Sequence, residues 1–303
     1  MRTAEKLGRW LGGLRNLRPP APRTRPVVPP APPKIGLALG GGFARGIAHA
    51  GILQAFERHQ IPIHCITGVS AGSIAAAAYA SGASPEEIAR AGCAMRFGDV
   101  ARWSLSRMGF VVNERMRKFL ERLLKQYRFE EMEIPLGVLA TDLVTGRPVC
   151  FHGSGDVFLP VRASCAYPGL FQPVLCEGRS LVDGAISMEI GARLARQLGA
   201  THVISVHLPA PIDGLPPQNV FQVVNRCMQI LQAQTEEVWR KDSDLVIAPD
   251  VRSVRWDGFE CGPELLKAGE AAALAAMPKI QSWLVKPQPA PAAGDALPSS
   301  IPA

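Results

Sequence analysis

The chain has 303 residues, 47% of them hydrophobic, enough to bury one large core. Its net charge of +7 is confined to residues 1–34, which hold eight basic residues against one acid. The remainder balances 25 against 25, so the core carries no electrostatic footprint for nucleic acid. Seven cysteines without a C-x-x-C pair argue against a zinc site or a disulfide framework, and for reduced thiols in a cytosolic setting. No apolar run reaches the length of a membrane span, and no signal peptide is visible.

Residues 1–18 read as a basic amphipathic helix, with Leu7, Trp10, Leu11, Leu14 and Leu17 on one arc and Arg9 opposite. Gly12-Gly13 weaken it by about 1 kcal/mol each relative to alanine. Proline and arginine dominate residues 19–33, an extended linker. Such a segment fits a peripheral membrane dock; a cleaved address peptide and an inert tail are the alternatives.

Lys34 to Leu39 reads as a strand, Gly40-Gly41-Gly42-Phe43-Ala44-Arg45-Gly46 as a loop, and Ile47 to Glu57 as a helix. A glycine-rich loop between strand and helix is an anion site, because bare backbone N–H groups converge there. The dinucleotide fingerprint fails: Gly40, Gly42 and Gly46 are misspaced, and Thr67-Gly68 stand where an acid should end the next strand.

The strand Ile61 to Ile66 then meets Gly68-x-Ser70-x-Gly72, and Ala75 to Ala80 continue as a helix. Strand, G-x-S-x-G and helix in that order form a nucleophile elbow, with Ser70 lifted clear of the sheet. The sharp turn leaves no room for side chains at Gly68 and Gly72.

Ser84-Pro85-Glu86-Glu87 opens a helix. Residues 98–112 are apolar and irregular. Residues 113–126 form a helix whose Met116, Phe119, Leu120 and Leu123 suit the core, with an acyl entrance as the alternative. Strands follow over 134–143 and from Val149, then a short helix at 162–168. Ser180 to Ala185 is a strand that ends on Asp183-Gly184, a common turn pair. A helix over 186–198, strands at 201–206 and 244–248 around a helix at 218–240, and a last helix over 262–285 complete the pattern. Residues 287–303 are a Pro/Ala-rich tail. Alternating strands and helices over 34–286 predict one α/β domain, a three-layer α/β/α sandwich with a mostly parallel sheet.

Ser70 needs a base, since a free hydroxyl is too weak a nucleophile at neutral pH. None of the six histidines (49, 59, 64, 152, 202 and 207) stands where a triad histidine would. His207, at a strand end, comes nearest, and His49 reads as a packed helix residue. A direct Ser70–Asp183 dyad is the simplest arrangement.

Leu39 to Gly46, Gly68 to Gly72 and Asp183-Gly184-Ala185 resemble, in this order, the three motifs of the patatin-like phospholipases. Ala140 to Leu143 and Ala163 to Phe171 are also similar to that family, most of all to its short bacterial members. The resemblance implies a patatin-type fold, a Ser70 nucleophile, an Asp183 base, and hydrolysis of phospholipid or lysophospholipid esters through an acyl-enzyme. It also implies an oxyanion loop in which Gly40, Gly41 and Gly42 donate backbone hydrogen bonds and Arg45 and Gly46 hold the shape, with Gly68, Gly72 and Gly184 as motif glycines. No metal or other cofactor is implied. Phe43 and Ala185 depart from the common glycines without removing a catalytic group. The expectation is a cytoplasmic serine lipid hydrolase, peripheral on the inner membrane face through residues 1–18. A regulatory scaffold on the same fold and a lipid acyltransferase are the competing functions.

Overall fold

The computed structural model describes residues 31–285 apart from positions 105, 107, 211 and 213. The amphipathic helix expected over 1–18, most of the linker and the 287–303 tail lie outside the described residues. The unit that carries the fold begins at Pro33.

Strand β1 (Ile35–Leu39) is buried at every residue, as an unbroken apolar run demands of a strand covered on both faces. A 3-10 turn at Phe43–Ile47 leads into α1 (Ala48–Arg58). Strand β2 (Ile63–Val69) runs parallel to β1 and gives way at Ser70 to α2 (Ala71–Ala80). The alanines of α2 let it sit buried on most of its circumference. Helix α3 (Pro85–Ala94) starts on a reciprocal cap: Glu87 N–H donates to Ser84 Oγ at 3.2 Å, and Ser84 N–H donates to the Glu87 carboxylate at 2.9 Å.

The stretch expected to be irregular contains one helical turn, α4 (Phe97–Val100), and a small hairpin, β3 (Arg102–Trp103) with β4 (Val111–Val112). Helix α5 (Met116–Leu123) is shorter than the expected 113–126. Asn113 instead donates its amide to the Arg162 carbonyl at 2.7 Å. Met116, Leu120 and Leu123 enter the core, while Phe119 stays half-buried.

Strands β5 (Leu136–Asp142) and β6 (Pro148–His152) precede α6 (Phe158–Ser164), which ends before Pro168. Strands β7 (Val174–Cys176) and β8 (Arg179–Asp183) run into a 3-10 turn at Gly184–Ile186. Helix α7 covers only Ala192–Gln197, not the expected 186–198. Just before it, Ile190 is fully buried, and the Gly191 carbonyl accepts both the Ala195 N–H and Thr67 Oγ1, each at 3.0 Å, so it opens α7 and ties its start to β2. Strand β9 (His202–Val206), α8 (Val220–Arg240), β10 (Leu245–Ile247) and α9 (Gly262–Leu284) follow.

The sheet order is β10-β9-β1-β2-β5-β8-β7, with β6 also on β5. Every pair from β10 to β5 is parallel; β6, β7 and β8 pair antiparallel. Alternate residues of β1 feed different cores. Leu37 and Leu39 join α1, α2 and α9 residues, while Ala38 joins α7 and Trp239 of α8. Helices therefore cover both faces. The glycine loop and Ser70 both leave the carboxyl ends of adjacent parallel strands, where open α/β sheets bind ligands.

Candidate active site

Ser70 sits at φ 51°, ψ −126°, a backbone state that disfavours any residue with a Cβ. The surroundings hold it there. Its N–H donates to Ser164 Oγ at 2.8 Å, and its carbonyl accepts from both the N–H (2.8 Å) and the Oγ (2.6 Å) of Ser73. The flanking glycines are a steric requirement. A Cβ on Gly68 would lie 2.4 Å from Ser73 Cα, and one on Gly72 would lie 2.4 Å from the Leu39 carbonyl oxygen. The elbow expected from G-x-S-x-G is thus the local geometry found.

What brings Asp183 to Ser70 is the register on β5. Gly137 pairs with Thr67 of β2 and with His152 of β6, so β2 and β6 occupy opposite edges of β5. Ala140 pairs with Val149 of β6 and with Asp183 of β8, so β8 must lie on the β2 edge. The last β2 residue, Val69, pairs with Leu139, and Asp183 pairs with the very next residue, Ala140. The chain turns off at Ser70, and β8 takes the vacated edge. Ser70 and Asp183 end up lining one cavity of about 230 Å³.

Asp183 is fully buried. Its Oδ1 accepts the Ala185 N–H at 2.9 Å, its carbonyl accepts Thr141 Oγ1 at 2.9 Å, and its Oδ2, with the Ser70 hydroxyl nearby, makes no hydrogen bond of full geometry among the described residues. Burial pushes its pKa from the ordinary 3.8 up to about 7, against smaller lowering effects of the Ala185 N–H and the nearby Ser70 hydroxyl. A carboxylate poised near neutrality with a free oxygen is suited to taking a proton. Gly184 is constrained as well: a Cβ there would meet the Leu139 carbonyl oxygen at 2.4 Å.

The glycine loop divides into two roles, and one expectation needs correction. Gly40 was expected to donate to an oxyanion, but its N–H donates to the Val206 carbonyl at 3.0 Å. Its carbonyl is held in turn by His49 Nε2 at 2.9 Å. Gly40 is therefore a fixed base for the loop, because a committed N–H has no hydrogen left to offer. Gly41 and Gly42 line the cavity, and their N–H groups donate to no protein group among the described residues. Arg45 lines the same cavity, yet its guanidinium braces the loop: Nε donates to the Val254 carbonyl and an Nη to the Pro209 carbonyl, both at 3.1 Å. Gly46 lets the loop close on the elbow, since a Cβ there would lie 2.6 Å from Ala71 Cβ. Desolvation holds His49 down at about 4, so it is a neutral support.

His207 also lines the cavity, but its Nε2 faces Glu189 Oε1 at 3.2 Å. Trp239 Nε1 donates to the other Glu189 oxygen at 3.0 Å. Sequence reasoning missed this Glu189–His207–Trp239 wall, whose members are far apart in the chain. It also missed the Ser164 acceptor, although Ser164 stands inside the quoted Ala163 to Phe171 stretch. Tyr167, from the same stretch, reaches across to donate to Asn225 of α8 at 3.0 Å. Among the described residues, no group of three or more His, Cys, Asp or Glu is gathered to hold a metal ion.

Fold and site together define a class: an α/β sandwich with a strand–serine–helix elbow beside a buried aspartate and a glycine-rich loop. The family model described as patatin-like phospholipase matches residues 37–196. The chain belongs to the patatin-like phospholipase family. An uncharacterized NTE family protein of Mycobacterium bovis is 33% identical over 170 residues, covering 55% of this chain and 47% of the relative. A protein named lysophospholipase NTE1 in Mycosarcoma maydis is 28% identical over 226 residues, covering 72% of this chain and 12% of the relative. The chain thus spans about half the length of the curated mycobacterial relative and a much smaller part of the fungal one. The crystal structure of VipD from Legionella pneumophila shares the fold, with a TM-score of 0.56 at 13% identity over 83% of this chain and 68% of that chain.

Proposed function

We propose that this chain is a lipid acyl-ester hydrolase acting through a Ser70–Asp183 dyad and an acyl-enzyme. The β5 register carries the proposal, because it sets an elbow serine beside a buried carboxylate with an unpaired oxygen. Ser70 Oγ attacks the ester carbonyl carbon while its proton passes to Asp183. The carbonyl oxygen becomes an oxyanion facing the Gly41 and Gly42 N–H groups and the N-terminus of α2, whose dipole favours negative charge. Collapse expels the alcohol, which takes the proton from Asp183. Water then gives a proton to Asp183 and attacks the acyl-serine. Ser70 departs and recovers that proton.

The family description and the name of the fungal relative support a phospholipid or lysophospholipid as the substrate. Residues 1–18 would then dock the enzyme on an anionic membrane face. The decisive experiment incubates a phospholipid and lysophospholipid mixture with wild type and Ser70→Ala. Released fatty acid is read by mass spectrometry, and fluorophosphonate labelling is mapped in parallel. Wild type should release fatty acid and label at Ser70, and the variant should do neither. Labelling or release that survives Ser70→Ala refutes the assignment.

A further inference from the structure

Behind the elbow lies a second cavity, of about 50 Å³, that the chemistry above does not use. Its walls include Ala71, Ile74, Ile88 and Phe119, and every lining residue is apolar or glycine. It begins at the residue after Ser70. Its other end, at Met95, Phe119 and Leu123, is shared with an open groove of about 800 Å³. Among the described residues, Phe43 is the one side chain that lines both this cleft and the Ser70–Asp183 cavity.

Phe43 is itself unusual. It sits at φ 51°, where glycine would be at ease and a phenylalanine is strained. Its ring packs edge-on against Tyr167 at 5.0 Å and Trp256 at 5.1 Å, both of which line the Ser70–Asp183 cavity. A strained backbone persists only where neighbours hold it, and here two aromatic rings do so.

We propose that the apolar cleft behind Ala71 receives the acyl chain of the ester held at Ser70, and that the Phe43 ring is the wall limiting the chain length admitted. The proposal rests on the hydrolase reading above. The occupant follows from the lining: a surface with no polar side chain has nothing to offer a headgroup, whereas it desolvates methylenes, and its Phe43 wall is shared with the cavity that holds Ser70. Each methylene buried against it should be worth about fourfold in kcat/KM. Removal of the Phe43 ring widens the way from the Ser70–Asp183 cavity into the cleft and admits more of a longer chain. A bulky residue at Ile74 fills the cleft and shortens it.

The test measures kcat/KM for p-nitrophenyl butyrate, octanoate and laurate, each below its aggregation concentration. Wild type, Phe43→Gly and Ile74→Trp are compared, with circular dichroism to establish that each is folded. Each enzyme is its own control through its laurate-to-butyrate ratio. Phe43→Gly should raise that ratio by about tenfold or more, and Ile74→Trp should lower it by a similar factor, for a difference of two or three methylenes. Phe119→Ala, at the far end of the cleft, should raise it too and replaces either variant that fails to fold. Labelling rates with short and long alkyl fluorophosphonates should move in the same directions. Ratios that stay within twofold of wild type in folded, butyrate-hydrolysing variants overturn the cleft while leaving the hydrolase standing. A wild type that hydrolyses none of the esters and takes up no probe overturns the hydrolase, and the cleft with it.

Discussion

Asp183→Asn separates the two things that burial does to this carboxylate. The folded protein holds Asp183 protonated up to about 7, whereas the unfolded chain releases that proton near 3.8. Between those values the folded state binds more protons than the unfolded state, so stability falls as pH rises. The gap of roughly three pKa units corresponds to about 4 kcal/mol, fully absent as a penalty below pH 4 and fully present above about pH 7. Asparagine keeps the shape and carries no charge, so its stability lacks this slope. Its buried amide adds a constant offset, which drops out when only the pH dependence is compared. Urea denaturation of both proteins from pH 4 to pH 8 should therefore show the stability difference drifting by about 4 kcal/mol in favour of Asn. Ester hydrolysis should run the opposite way in wild type, rising with pH and levelling above about 7 as Asp183 ionises. The Asn variant should be slower by roughly two to four orders of magnitude, the loss expected for a missing general base. A stability difference that stays flat with pH, or a wild-type rate already level near pH 4, would refute the buried, protonated Asp183.

Gly41→Val places a Cβ 3.1 Å from Ser70 Cβ, between the loop N–H groups and the elbow. Turnover of a soluble ester should fall by roughly 10²-fold or more in a protein that still folds, and unchanged turnover would remove Gly41 from the oxyanion site. Deletion of residues 1–33 should abolish sedimentation with anionic vesicles at low salt and leave hydrolysis of a soluble short-chain ester intact. Equal vesicle binding by full-length and truncated protein would end the docking proposal.

The elements most legible in the sequence were those whose geometry is fixed within a few residues. The elbow needs Gly68 because the turn itself would set a Cβ there 2.4 Å from Ser73 Cα, and that local crowding leaves its mark in G-x-S-x-G; Gly72 instead makes room for the Leu39 carbonyl of the neighbouring β1 strand. The α3 cap is legible for the same reason, since Ser84 and Glu87 satisfy each other's backbone across one turn. Asp183-Gly184 was visible only as a turn pair, and its importance came from the accompanying motifs.

Tertiary structure decided what each local feature is for. Composition marked Gly40, Gly41 and Gly42 alike, but the pairing of β1 with β9 ends in a Gly40–Val206 hydrogen bond that leaves only Gly41 and Gly42 to face the cavity. His207 was a possible base by position, but folding sets it against Glu189. The helix expected over 186–198 is confined to Ala192–Gln197, and the Gly191 carbonyl that opens it is tied to Thr67 of β2. The meeting of Ser70 with Asp183 depends on β2 and β8 sharing one edge of β5, a register set by distant strands. The sequence by itself determined the turns and the residue types that chemistry needs, because sterics and hydrogen bonding within a few residues dictate them. Which N–H stays free, which carboxylate loses its water and which ring walls the cavity depend on contacts between segments far apart in the chain, and only the packed fold settles those.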